Sequence, residues 1–512
     1  MSPAPRAYRA ACPNCGAPVE FASAASASAV CGYCQSTLVR EGEALRRIGV
    51  SGELFDDHSP LQLGASGRWQ GVAFTLVGRL QQGYAGGSWN EWHALFDGGA
   101  DGPRSAWLSE DNGAYVLAFD AAWPGDAPPD AAAALRLPMG RLVFVDGRPW
   151  TLSSIVRAHL VAAQGELPAP PRLQGEYVVA ELRNVQDEVG SLDYSDAARP
   201  AWSIGRPVRL SELAMSGLRE GAAEKTLGSR GFECPGCGAA LTITLATTQA
   251  IACPQCHTVT DVSKGVGGEL DHYAQNNVGE GGLMPLIPLG RTGTLALGTE
   301  QAEPWQVVGY QERCDLPEDD EPQVFWREYL LYHRELGFAF LVDSEEDGWS
   351  WVRPITGTPS GSGRRVNWRG NAYELGASYR AKVTWVLGEF YWRVRRGETA
   401  TVSDFVGVGK GSASRLSREE TAGEVVWSAG RTIESDLVAK AFGISDASLL
   451  RRDVTPVSRE AIGKGRQIVL IIVILLIMFA FEMCSEWVDG TGSSGSSSGG
   501  SYGGFSTGGS HK

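Results

Sequence analysis

The sequence has few positive charges for its length. Lys and Arg total 45 against 59 Asp and Glu, so the formal net charge is −14 at pH 7. An acidic chain repels the phosphates of DNA and RNA, and no local basic stretch reverses that balance in the first part of the chain. Nucleic-acid binding is therefore disfavoured and ranks third among the hypotheses for function.

The sequence also lacks the short motifs of common enzyme classes. It has no phosphate-binding glycine loop, no nucleophile elbow and no His-Glu metal pair. The chain opens without the charged leader and cleavable apolar core of a secreted protein, so we expect a reducing compartment.

Cysteines, in contrast, are strongly patterned, since eight of the ten form two sets of paired Cys-x-x-Cys motifs. Two such motifs about fifteen residues apart form a zinc ribbon, because each turn aims both of its sulfurs at one tetrahedral ion. We predict one structural Zn²⁺ per set; disulfides or a redox dithiol are the alternatives, which a reducing compartment disfavours. The predicted ligands are Cys12, Cys15, Cys31 and Cys34 in the first set, and Cys234, Cys237, Cys253 and Cys256 in the second.

Three residues near this pattern are not expected to be ligands. His257 follows Cys256 directly, but four thiolates already complete the site. Cys314 and Cys484 stand outside both sets, and we expect them to be inert packing residues.

Short apolar runs separated by turn signals follow each cysteine segment, as in antiparallel β domains. The second half repeats the first: Gly165-Glu166-Leu167 recurs as Gly388-Glu389-Phe390. We therefore predict a mainly β protein in which a zinc ribbon and an antiparallel barrel-like or sandwich-like domain were duplicated as one unit. Each unit is expected to end in a short helix, at Ser435 to Phe442 and, more weakly, at Ser211 to Leu218. The predicted boundaries are 1–45 and 228–265 for the ribbons, and 50–222 and 280–450 for the β domains.

One long apolar run, Ile468 to Phe481, has no polar face. It extends through Val488 with few interruptions, so we predict a transmembrane helix over 466–488. Basic residues precede this segment and acidic residues follow it, which by the positive-inside rule places the bulk of the chain in the cytoplasm. The Gly/Ser-rich segment 489–512 is then a disordered tail on the outer side of a bacterial inner membrane.

A Trp-x-Glu-aromatic motif occurs once in each copy. Strand alternation places its Trp and Glu on one face, where the carboxylate is either paired or available to a ligand. We favour a buried structural pair with an arginine from the Trp-Ser-x-Gly-Arg motif; ligand binding and catalysis are the alternatives. The residues of this candidate face are Trp89, Glu91 and Arg206 in the first copy, and Trp326, Glu328 and Arg431 in the second.

These motifs, together with the apolar strands that end at Gly78 and Gly309, resemble a bacterial family known only as domain of unknown function 4178. The resemblance covers about residues 60–210 and 285–440. It implies a cysteine ribbon in front and a membrane helix with a Gly/Ser tail behind. It implies no established activity, and it suggests a setting among envelope-stress and membrane-associated proteins.

The sequence as a whole favours a membrane-anchored cytoplasmic protein that binds protein partners or acts as a scaffold, with two structural zinc ions. The alternative is a hydrolase or transferase with Glu91 or Glu328 as its general acid or base. That alternative predicts a concave pocket with polar groups converging on one of these carboxylates.

Overall fold

The computed structural model describes residues 8–452 except 22–27, 42–43, 51–58, 86, 100–101, 112–113, 125–126, 220–230, 246–247, 263–271, 276–283, 318–322, 334–335, 346 and 410–412. The predicted transmembrane helix at 466–488 and tail at 489–512 lie outside the described residues. Within the described part, no helix combines the length and the apolar character needed to cross a membrane.

The first copy is built from antiparallel strands. The ribbon contributes β1 (Tyr8–Ala11), β2 (Pro18–Phe21), β3 (Ser28–Val30), β4 (Ser36–Glu41) and β5 (Ala44–Val50). The following domain contributes β6 (Ser66–Trp69), β7 (Val72–Tyr84), β8 (Gly87–Gly99), β9 (Gly102–Asp111), β10 (Ala114–Ala121), β11 (Leu142–Val145), β12 (Arg148–Leu167), β13 (Tyr177–Arg183), β14 (Val189–Asp193) and β15 (Ala201–Val208).

Eight of these strands close into a barrel. Neighbours follow the order β7-β8-β9-β10-β15-β14-β13-β12, and β12 pairs with β7 to complete the ring. The length of β12 allows this closure, because its first part pairs with β13 and its second part with β7. The last three residues of β12 also pair with β3, so the ribbon sheet continues directly into the barrel sheet.

The second copy repeats this plan. Its ribbon contributes β16 (Gly231–Glu233), β17 (Ala240–Thr242), β18 (Ala250–Ala252), β19 (Val259–Asp261) and β20 (His272–Tyr273). Its second part contributes β21 (Thr292–Leu295), β22 (Glu303–Asp315), β23 (Phe325–His333), β24 (Gly337–Ser344), β25 (Gly348–Ile355), β26 (Ser360–Ser362), β27 (Arg365–Trp368), β28 (Asn371–Phe390), β29 (Thr399–Gly407), β30 (Ser414–Glu420) and β31 (Val425–Thr432). The ring β22-β23-β24-β25-β31-β30-β29-β28 has the same order and closes by pairing of β28 with β22. A mainly β fold with two barrels is thereby confirmed.

Glycine pairs mark the seam where each ring closes. Gly78 on β7 faces Gly165 on β12, and Gly309 faces Gly388 in the second copy. A Cβ on Gly78 would lie 1.9 Å from the carbonyl oxygen of Glu166, and one on Gly388, whose φ is +82°, would lie 2.4 Å from a backbone oxygen of β22. The two backbones cross too closely for a side chain, which explains why the apolar strands of both copies contain glycine here.

Among the residues that the structure describes, the helices are few and short. They are α1 (Ala131–Ala134) and α2 (Ser435–Phe442), followed by a 3₁₀ turn at Ala447–Leu450. The predicted helix α2 is present, with Glu434 rather than Ser435 at its N-cap position, and it covers the outer face of the second barrel through Val438 and Phe442. The weaker helix expected at Ser211 to Leu218 is instead a series of turns, since Ala214 and Gly217 take positive φ values that a helix excludes.

The two copies contact each other directly. The turn after β30 forms a β-bridge between Glu424 and Ser154 on β12, and the Ile155 N–H donates to the Gly423 carbonyl at 3.1 Å. These bonds use the stretch of β12 that lies between its pairings with β11 and β7. The second copy thereby covers part of the edge of β12 in the first copy.

Candidate functional site

The four cysteines of the first set converge on one point. The Sγ atoms of Cys12 and Cys34 are 3.6 Å apart, and those of Cys15 and Cys31 are 3.7 Å apart. Disulfide sulfurs lie about 2.05 Å apart, whereas sulfurs about 2.3 Å from one tetrahedral ion lie about 3.8 Å from each other. The geometry therefore fits a four-thiolate metal site and does not fit disulfides.

The second set has the same geometry. The distances are 3.6 Å between the Sγ atoms of Cys234 and Cys256, and 3.8 Å between those of Cys237 and Cys253. His257 is not a member of this group, and its ring packs against a barrel tryptophan. All eight predicted ligands thus lie in two groups that could each hold a metal ion.

Hydroxyl groups beside the last cysteine of each set favour its thiolate form. Ser36 Oγ lies 3.2 Å from Cys34 Sγ, and this contact is the main reason why the pKa of Cys34 falls to about 5. Thr258 Oγ1 lies at the same distance from Cys256 Sγ and lowers its pKa to about 6. Because the thiolate is the metal-binding form, each contact favours metal binding by its own cysteine.

A carboxylate of the second barrel fastens its ribbon. Glu389 accepts hydrogen bonds from the N–H groups of Thr244 and Leu245, each at 3.0 Å, and from the hydroxyls of Thr244 and Thr248. Hydrogen bonds to a buried carboxylate are among the strongest in proteins. The repeated Gly-Glu motif is the sequence signal at this position, but it does not indicate which groups the carboxylate binds.

The Trp-x-Glu motif of the second copy lies inside its barrel. Glu328 has no exposed surface, and it accepts a 2.7 Å hydrogen bond from Trp326 Nε1. Arg313 Nη1 lies 3.6 Å from the same carboxylate, and Arg313 also forms two hydrogen bonds with Glu419 on the opposite wall. Burial raises the pKa of Glu328 to about 7. A substrate could reach this carboxylate only if the barrel opened.

The first copy keeps the motif but not the arginine. Trp89 Nε1 donates to Glu91 at 3.2 Å, and Glu91 is partly exposed. Gln82 faces Trp89 in the strand register, where Arg313 faces Trp326 in the second copy. The two motifs are therefore alike locally but differ in the charge that faces them across the strand pair.

The prediction that Arg206 and Arg431 pair with the carboxylates of the Trp-x-Glu motifs is wrong. Arg206 is exposed and pairs with Glu188 at 2.9 Å, and Arg431 is also exposed. In each ring two strands separate the strand of the Trp-x-Glu motif from the strand of this arginine. The guanidinium groups therefore lie on the outer surface, away from Glu91 and Glu328.

A buried polar cluster between the two copies was not foreseen. Arg183 Nη2 lies 2.6 Å from Glu181 inside the first barrel, and Glu424 reaches their vicinity from the second copy. Burial, followed by repulsion from Glu181, raises the pKa of Asp111, while the pKa of Glu424 is raised mainly by burial. Three distant segments supply these residues, with Asp111 on β9, Glu181 and Arg183 on β13, and Glu424 after β30, so no local sequence pattern could have revealed the cluster.

Two clefts on the described surface are not lined by Glu91 or Glu328. One of about 520 Å³ lies on the first barrel beside Phe96, Phe119 and Arg206. The other, of about 650 Å³, lies between the copies.

Comparison with known proteins supports the duplication. The family model described as "Domain of unknown function (DUF4178)" matches residues 62–210 and again 296–435. The two matched segments fall on the two barrels, which confirms the resemblance inferred from the Trp-x-Glu and Trp-Ser-x-Gly-Arg motifs. No curated protein and no solved structure matches the chain.

Proposed function

Because the chain belongs to the DUF4178 family through both of its halves, and that family's description gives no activity, we propose a function from the barrels themselves. The protein acts as a membrane-anchored interaction or scaffold protein on the cytoplasmic side of a bacterial inner membrane, in an envelope-stress setting. Two Zn²⁺ ions hold its ribbons, and the apolar segment 466–488 is its single-pass anchor.

The observation that carries this proposal is the burial of Glu328. Its carboxylate is enclosed by Trp326, Arg313 and neighbouring strands. The Trp-x-Glu motif, which was the best candidate for catalysis in the sequence, therefore has a structural role in the second copy. Because side chains fill the interior of the second barrel, we expect a partner protein to bind on the outer surface of the barrel. The two fitted cysteine groups support zinc as a structural ion, because small ribbons need a metal to be stable.

The proposal is tested by affinity purification of the full chain from detergent-solubilised bacterial membranes. We expect the chain in the membrane fraction, its release into the soluble fraction on deletion of 466–488, and a stoichiometric protein partner. An E91Q/E328Q variant should retain that partner. If crosslinked and uncrosslinked preparations both contain no stoichiometric partner, the proposal fails.

A further inference from the structure

The two copies differ at the strand that precedes the long barrel strand. β27 in the second copy pairs with β28 on one side and with β26 on the other. Its counterpart β11 forms the same hairpin with β12, but among the described residues β12 is its one partner. The first copy therefore presents a strand edge at the place where the second copy covers that edge with a strand of its own.

The side chains beside this open edge are apolar, whereas open edges normally carry charged side chains. Leu142 and Phe144 on β11 are 50% and 65% exposed, whereas the equivalent residues Arg365 and Asn367 on β27 are polar. Proteins usually protect open edges with charged residues, because bare apolar edges pair with other chains. Among the described residues, the covered edge is polar and the open edge is apolar, a pattern typical of an edge that pairs with another chain.

Hairpin geometry makes the backbone of this edge suitable for pairing. The two-residue turn Asp146-Gly147 makes Val145 and Arg148 a hydrogen-bonded pair, so Val143 also bonds inward. The N–H and C=O groups of Leu142 and Phe144 consequently point outward, where an added strand would meet them.

Length and charge restrict the occupant. A four-residue strand is about 13 Å long, far too short to form alone the roughly 1,200–2,000 Å² interface of a stable dimer. Exposed Arg141 directly precedes β11. With β26 as the template, an added antiparallel strand runs past Leu142 toward Arg141, so acidic residues at its C-terminal end would face that guanidinium.

We propose that the outer edge of β11 binds an extended segment of a partner protein as an added antiparallel strand, with apolar residues at alternate positions and acidic residues after them. This inference rests on the proposed interaction function and identifies a surface for it. The added backbone hydrogen bonds provide affinity, and the contacts with Leu142, Phe144 and Arg141 provide selectivity.

The test uses the full chain in detergent and the fluorescent peptide Thr-Val-Thr-Val-Glu-Glu, whose two valines would lie opposite Phe144 and Leu142 in the register of β26. Fluorescence anisotropy should show saturable binding. Phe144→Lys or Leu142→Lys should weaken binding about tenfold or more, as should N-methylation of the two valines, which removes backbone donors but keeps the side chains. The matched control is Asn367→Lys on the covered strand β27, which should leave binding unchanged.

Absence of saturable binding, or equal binding by the Phe144→Lys protein or the N-methylated peptide, overturns the proposal. So does a wild-type dimer that Phe144→Lys converts to a monomer, because the edge would then belong to a second copy. A membrane-purified partner that the Phe144→Lys chain retains leaves the interaction function intact but removes this surface as its site. A purification that contains no partner refutes the function itself.

Discussion

Arg313 joins opposite walls of the second barrel by bonding Glu419 twice, with Nη1 to Oε2 at 3.1 Å and Nη2 to Oε1 at 3.0 Å. Both side chains are buried, and the guanidinium also lies over the Trp326 ring at 5.8 Å. Because Glu328 is near the same guanidinium, one arginine stabilises two buried carboxylates.

Removal of this arginine should be costly. Arg313→Ala leaves two carboxylates buried without their cation, so we expect the free energy of unfolding to fall by about 3–5 kcal/mol in urea denaturation. The control is Arg365→Ala, which breaks an exposed 3.4 Å pair with Glu374 and should cost about 1 kcal/mol or less. Equal effects of the two substitutions would contradict the structural role of Arg313.

The glycine seam gives a second prediction. Gly388→Ala adds a Cβ to a backbone with positive φ and places it against the neighbouring strand, whereas Gly397→Ala meets the same φ penalty in open space. We expect Gly388→Ala to destabilise the protein by about 1–3 kcal/mol more than Gly397→Ala in thermal or urea unfolding. Similar losses would mean that the strands can separate at the seam.

Docking of the second ribbon should depend on Glu389. Glu389→Gln loses the negative charge that accepts bonds from Thr244, Leu245 and Thr248, which should cost about 1.5–3 kcal/mol locally. Hydrogen exchange should accelerate in residues 231–262, and a chelator should remove metal faster. Glu233→Gln, at an exposed ribbon position, is the control and should behave like the wild type.

Metal content provides a direct test of the cysteine groups. Elemental analysis should find two zinc ions per chain, because each group offers four thiolates in tetrahedral arrangement. Cys15→Ser should lose one zinc ion, while Cys314→Ser, which alters a buried barrel cysteine outside the groups, should retain both. One zinc ion or none in the wild-type protein would contradict the assignment.

Stability should fall as the pH rises. Glu328 has a pKa of about 7 in the folded protein against an ordinary value of 4.5, so the folded state binds its proton more tightly than the unfolded state. The resulting stabilisation is complete below about pH 4.5 and is lost as the pH rises through 7. The raised pKa values of Asp111 and Glu424 act in the same direction, whereas the pKa of His93, which burial lowers, acts in the opposite direction.

This pH dependence can be measured by urea denaturation between pH 5 and pH 8. The free energy of unfolding should decrease across that range in the wild type, and Glu328→Gln should make the decrease smaller. A Glu328→Gln curve that falls as steeply as the wild-type curve, or more steeply, would contradict the direction assigned to Glu328.

Sequence alone was sufficient for features that depend on residues close together in the chain or on repetition. The Cys-x-x-Cys spacing determined the two metal groups, because a tight turn places neighbouring sulfurs together whatever the rest of the fold does. Repeated motifs revealed the duplication, and alternation on the strand put Trp326 and Glu328 on one face. The helix at Ser435–Phe442 was likewise readable from its own residues.

Only the tertiary structure decided which distant groups meet. Arg313 and Glu419 are on strands far apart in sequence, and ring closure alone brings them together, whereas the motif arginines Arg206 and Arg431 remain outside. Ring closure also required glycine at the seam, and the contact between copies created the cluster around Glu424. The physical reason is that a buried charge is stabilised by groups that are close to it in space. Which groups these are depends on the order of the strands around the barrel, and no single segment of the sequence determines that order.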